Sequence, residues 1–129
     1  MTSKIRIAVF GAGSGGMNAY EHLKEEYELV AFADNDKRKH GLTLNGYPIV
    51  SAAALRSLPV DKIVVASAYG LQIHRQLVYE ENIPPEKIIR LPFSLLKKSN
   101  SLYYLAFFSV SIFFLLVLLC VIATLLFWL

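Results

Sequence analysis

No charged residue occurs between positions 99 and 129, and this divides the chain into two physical problems. Every Lys, Arg, Asp and Glu lies between Lys4 and Lys98. Residues 102–129 read LYYLAFFSVSIFFLLVLLCVIATLLFWL, longer than the roughly 20 apolar residues that cross a bilayer as a helix. In hydrocarbon every backbone amide must be paired within the segment, so a lone span is helical. A core helix of a soluble domain is amphipathic, and this stretch is apolar on all sides. Tyr103 and Tyr104 near one end and Trp128 at the other suit the two interfaces. Lys97 and Lys98 precede the span, so the positive-inside rule places the N-terminal side in the cytoplasm. The expectation is a single-pass inner (cytoplasmic) membrane protein. The N-terminus MTSKIRIAVFGAG has neither the apolar run nor the cleavage site of a signal peptide.

The span has no Asp, Glu, Lys, Arg or His, and so no proton or ion path of its own is expected. Ser109, Ser111 and Thr124 have hydroxyls to bond to their own helix or to a neighbour. No GxxxG marks a dimer face. The single cysteine, Cys120, lies in this stretch and cannot form an intrachain disulfide.

Before the span, short apolar runs alternate with amphipathic ones. Strands are expected at residues 5–10 (IRIAVF), 28–33 (ELVAFA), 47–50 (YPIV), 62–66 (KIVVA) and 87–91 (KIIRL). Helices are expected at 17–26, 52–57 with Ser51 as cap, and 71–81. Residues 36–46 are polar and glycine-punctuated, and read as a loop. Strands alternating with helices at this spacing build βαβ units and a parallel sheet. The fold class is α/β, a Rossmann-like parallel sheet of order 3-2-1-4-5 plus one C-terminal transmembrane helix. The ligand crevice belongs where strands 1 and 4 part. The domain limits are 1–92, a linker at 93–101, and the span at 102–129.

Gly11, Gly13 and Gly16 spell G-x-G-x-x-G directly after the first strand and before the first helix. The first glycine permits a tight turn, the second lets a phosphate approach the backbone, and the third lets the helix pack on the strand. The helix end then offers unpaired N–H groups and partial positive charge to an anion. Ser14 and Gly15 complete the loop. Asp34 ends the second strand, about 20 residues on, where a ribose-binding carboxylate is expected. Asn35 extends that polar end. Ser67 and Tyr69 follow the fourth strand and form the opposite wall, with Tyr69 either stacking on a base or sugar or packing beside its own helix. The candidate cofactor-binding set is therefore Gly11, Gly13, Ser14, Gly15, Gly16, Asp34, Asn35, Ser67 and Tyr69. Lys37, Arg38 and Lys39 either meet a 2′-phosphate or pyrophosphate or are solvated.

Other chemistries find little support. Tyr20 and Lys24 have the Y-x-x-x-K spacing of short-chain dehydrogenases, but on the first helix, with Tyr20 expected in the core. His22, His40 and His74 are scattered, so no metal site or catalytic set is assigned. The formal net charge is only +3, and only two short basic clusters occur, Lys37–His40 and Lys97–Lys98, too few for a nucleic-acid partner.

The runs VFGAGSGGMNAYEHLKEEYELVAFADND, GLTLNGYPIVS, DKIVVASA and PPEKIIRLP resemble the Rossmann-like domain of bacterial surface-polysaccharide proteins. They are similar to the N-terminal domains of CapD-type nucleoside-diphosphate-sugar epimerases and dehydratases, and of PglD-type sugar acyltransferases. The resemblance covers about residues 4–92 and lacks the flanking catalytic domains of either type. It implies a nucleotide or nucleotide-sugar ligand, NAD or a UDP-sugar, and a setting in lipid-linked glycan assembly. It carries over no catalytic residue. Three roles stay open: a membrane-anchored binding module, an enzyme subunit completed by a homo-oligomer or a membrane-protein partner, and a ligand-free scaffold.

Overall fold

A computed structural model describes residues 3–96 and 101–128. The chain divides into two compact units, Met1–Lys98 and Ser99–Leu129.

The first unit is a six-stranded sheet of order β3-β4-β2-β1-β5-β6. Its strands are β1 Ile5–Phe10, β2 Tyr27–Ala33, β3 Thr43–Leu44, β4 Tyr47–Val50, β5 Lys62–Val65 and β6 Ile88–Arg90. All neighbours run parallel except β3 and β4. Without β3, the order is the 3-2-1-4-5 expected of the five apolar runs. The extra strand lies within residues 36–46, expected to be loop. Asn45 and Gly46 both adopt positive φ, 51° and 82°, and turn β3 back into β4. Two positive-φ residues in a two-residue hairpin loop define the type I′ turn that Asn-Gly favours. The Asn45-Gly46 dipeptide is the sequence signal for this hairpin.

Side chains alternate along β1, so the core forms on both faces. Ile7 and Val9 join one cluster with Ala19 of helix α1 (Ser14–Leu23), while Ala8 and Phe10 join another with Ile73 and Leu77 of helix α2 (Gly70–Tyr79). β2 breaks strict alternation. Its pairing with β1 jumps from Leu29 to Ala31, leaving Val30 as an extra residue. This bulge sends Phe32 to the same face as Leu29, three positions earlier. Phe32 is fully buried there, edge-on to Tyr20 with ring centroids 6.4 Å apart. Burying each such side chain stabilises the fold by about 1.5–3 kcal/mol.

Segment 52–57 is a 3₁₀ helix, Ala53–Ser57, and the Ala54 N–H donates to Ser51 Oγ at 3.3 Å. Residues 93–96, expected as linker, form a helical turn, α3 (Phe93–Leu96), whose Leu96 is buried against α1. Lys97 and Lys98, used above for orientation, lie outside the described residues, as do the side chains of Tyr103 and Tyr104.

The second unit is one helix, α4 (Ser101–Trp128). Within it Leu105–Trp128 is long and apolar enough to span a membrane, its most apolar 18 residues reaching a mean hydropathy of 3.1. Ser109 Oγ donates to the Ala106 carbonyl at 2.8 Å, and Thr124 Oγ1 to that of Val121 at 2.7 Å. Both hydroxyls are thus satisfied inside the helix, which removes their cost in hydrocarbon.

Candidate functional site

The sheet register gathers the site. Phe10 pairs with Ala33 on one side and Val65 on the other, so the three strands end level. The next residues, Gly11, Asp34 and Ala66, therefore emerge at the same carboxyl edge. The strand order reverses between β1 and β5, and in open α/β sheets ligands bind at that switch point.

A cavity of about 490 Å³ opens there, within the range of small-molecule sites. Gly11, Gly13, Ser14, Gly15, Gly16, Asp34 and Ser67 all line it, joined by Asn18, Lys39, Ala66, Ala68 and Leu96. Asn35 and Tyr69 line an adjoining cavity of about 280 Å³, which shares Gly11, Asp34 and Ser67 with the first. The two hollows thus bring all nine sequence candidates together. Gln72 and Gln76 of α2 add amides that sequence patterning did not single out. Gln76 forms a reciprocal amide pair with Asn35, at 2.8 and 3.1 Å. Tyr69 is 67% exposed, and so lies at the mouth of this second hollow rather than in the core.

The glycines do different work. Gly11 has φ +122°, and a Cβ there would lie 2.6 Å from the Ala66 carbonyl oxygen. A Cβ on Gly16 would fall 1.8 Å from the Gly11 oxygen, and one on Gly15 would sit 3.0 Å from that of Ala66. Gly13 is extended, with nothing within 4 Å of its Cβ position. It caps α1 with no side-chain acceptor, and the first turn carries no acid. The opening amides of α1 thus face the cavity without a protein anion to satisfy them.

Asp34 is the busiest polar side chain, only 17% exposed. Its Oδ2 accepts from the Ala12 N–H at 2.9 Å and from Lys39 Nζ at 2.8 Å, and its Oδ1 accepts from the Asp36 N–H at 2.9 Å. Burial pushes the carboxyl up, but the Lys39 bond and the two amides outweigh it and hold it below the ordinary range. Asp34 therefore braces the glycine turn as well as facing the cavity. Of the basic run, Arg38 is occupied elsewhere. It holds Asp36 through Nε and Nη2 at 3.0 and 2.9 Å and lowers that carboxyl to about 2. Tyr20 lies apart from the glycine turn, packed on Tyr47 with centroids 5.6 Å apart, while Lys24 pairs with Glu21. Neither residue lines the glycine cavity. His40 Nε2 bonds the Asp34 carbonyl at 2.7 Å.

These features define a class: a Rossmann-type α/β domain whose first strand-to-helix turn opens a cavity at the sheet's switch point. Residues 3–89 match the family model for the C2185-like N-terminal domain, so the chain belongs to that family. It is 34% identical over 86 residues to a probable polysaccharide biosynthesis protein, EpsC, of Bacillus subtilis. That match takes in 59% of this chain and 14% of EpsC, so the chain spans a small part of its relative. Among solved structures it resembles UDP-D-quinovosamine 4-dehydrogenase from Vibrio fischeri, with a TM-score of 0.54 at 19% identity over 70% of this chain and 80% of that one. RSP, a Rex-family repressor solved with β-NAD+ and operator DNA, gives a TM-score of 0.51 at 16% identity, over 81% of this chain and 56% of that one. At these identities the likeness is one of fold.

Proposed function

We propose that this chain is a membrane-anchored module that binds a nucleotide or nucleotide-sugar, NAD or a UDP-sugar, on the cytoplasmic side of the inner membrane. It serves surface-polysaccharide or lipid-linked glycan assembly. One observation carries the ligand claim. Gly11 and Gly16 are required by contacts within the chain and Gly15 is tight against the Ala66 carbonyl oxygen, but Gly13, which lines the cavity, has open space at its Cβ position. A glycine that the fold does not need, beside uncapped helix amides, fits the close approach of a phosphate. Likeness to the polysaccharide biosynthesis protein supports the setting, and the apolar helix supports the anchor. The catalytic part is supplied by a partner or by oligomerisation if chemistry occurs here, since the nine candidates include no assembled nucleophile, base or metal set.

The test is a thermal-shift panel on the full chain in detergent with NAD, UDP, UDP-GlcNAc and ADP. A ligand at a hundred times its Kd stabilises a folded domain by about 2.7 kcal/mol. At least one of the four should raise the melting temperature of the wild type, and Gly13→Val should abolish the rise. Flat melts with all four ligands rule the proposal out.

A further inference from the structure

Resting on that reading, we infer that Lys39 is the cationic contact for the ligand's diphosphate, and that Lys37 and Arg38 are not. Three consecutive basic residues follow β2, and the structure separates them. Arg38 is spent on Asp36, with its side chain 89% exposed. Lys37 is exposed and lines neither hollow of the site. Lys39 folds back over the glycine turn. Its ammonium donates to Asp34 Oδ2 at 2.8 Å and to the Ala12 carbonyl at 3.1 Å, and it lines the same cavity as Gly13, Ser14 and Gly15.

An ammonium has three N–H donors, and these two bonds leave one more. That proton belongs to a group already fixed beside the amide end of α1, so little side-chain freedom remains to be lost on binding. Among the described residues lining the cavity, Lys39 is the one cation and Asp34 the one anion, and the two are paired with each other. An arriving diphosphate meets the helix amides and Lys39 with no uncompensated carboxylate opposing it. The contact to Ala12 next to Gly13 directs Lys39 to the bridging phosphates. A 2′-phosphate on the ribose is the other phosphate that a basic residue after β2 could meet.

The test compares full-chain wild type, Lys39→Met, Lys39→Arg and Arg38→Gln in detergent by titration calorimetry. The probes are ADP, UDP, adenosine, uridine and 2′-AMP. Lys39→Met should weaken ADP or UDP by about tenfold, the loss of one charge-assisted hydrogen bond, and leave the matching nucleoside unchanged. Lys39→Arg should recover part of the loss, and Arg38→Gln should match wild type. Equal losses for nucleotide and nucleoside would make Lys39 only a brace for the turn, and overturn the inference. So would a loss confined to 2′-AMP. A lower melting point of Lys39→Met reports on the brace, while the nucleotide-to-nucleoside ratio still reports on the contact. If the wild type binds none of the five probes, the nucleotide reading itself fails, a result distinct from those that reject Lys39 alone.

Discussion

Gly13 and Gly16 stand three positions apart in one turn and answer to different forces. Gly16 is set by packing, because any Cβ collides with the backbone oxygen of Gly11. Gly16→Ala should therefore destabilise the soluble unit by about 3 kcal/mol, at the upper end for overpacked sites. Gly13→Ala should change stability by no more than about 0.5 kcal/mol, as at an unconstrained surface position, yet weaken nucleotide binding. Thermal melts followed by circular dichroism, with and without ligand, check both. Asp34 gives a pH prediction. Its folded pKa lies below the ordinary 3.8, so its contribution is present above that value and is lost as pH falls through the lower, folded value. Melts from pH 7 to pH 3 should show a wild-type acid limb that Asp34→Asn flattens. The glycines and Asp34 were legible in sequence, because their spacing follows from the geometry of one turn. The Lys39 bridge was not legible, because a basic run does not say which member folds back.

At the scale of elements, the five parallel strands were readable because short apolar runs ended in glycine, acid, serine or proline. Three features were not. The bulge at Val30 leaves no composition signal, since β2 is apolar on both faces. The β3–β4 hairpin was hidden in a polar stretch, although Asn45-Gly46 announced it. Helix α3 was hidden because Leu96 becomes a core residue only when α1 is present to receive it, where Asn18 Nδ2 also bonds the Leu96 carbonyl at 2.8 Å. The hairpin claim can be tested at Gly46, whose φ is +82° with open space around it. Gly46→Ala should cost about 1 kcal/mol from backbone strain alone. The matching change at Gly13, which has no positive φ, should not. Leu77→Ala should cost about 2–5 kcal/mol, because that side chain is fully buried where α2 meets the sheet. Urea titrations of the two variants measure these costs.

For the whole molecule, charge segregation does the organising. A unit holding every Lys, Arg, Asp and Glu precedes an uncharged helix, and the anchoring account follows from that contrast. Alkaline carbonate washes should leave the full chain in the membrane fraction, whereas a chain ending at residue 98 should be released. External protease should spare the soluble unit in right-side-out vesicles and digest it in inverted ones. The central claim concerns the turn, however, and the backbone amides of Gly13, Ser14 and Gly15 report on it directly. The decisive measurement is an amide nuclear magnetic resonance titration of the full chain in detergent with UDP and ADP. The account predicts saturable shifts at those three amides and at Asp34 with at least one of the two, all lost in Gly13→Val. Shifts that avoid the turn, or that persist unchanged in Gly13→Val, would contradict it.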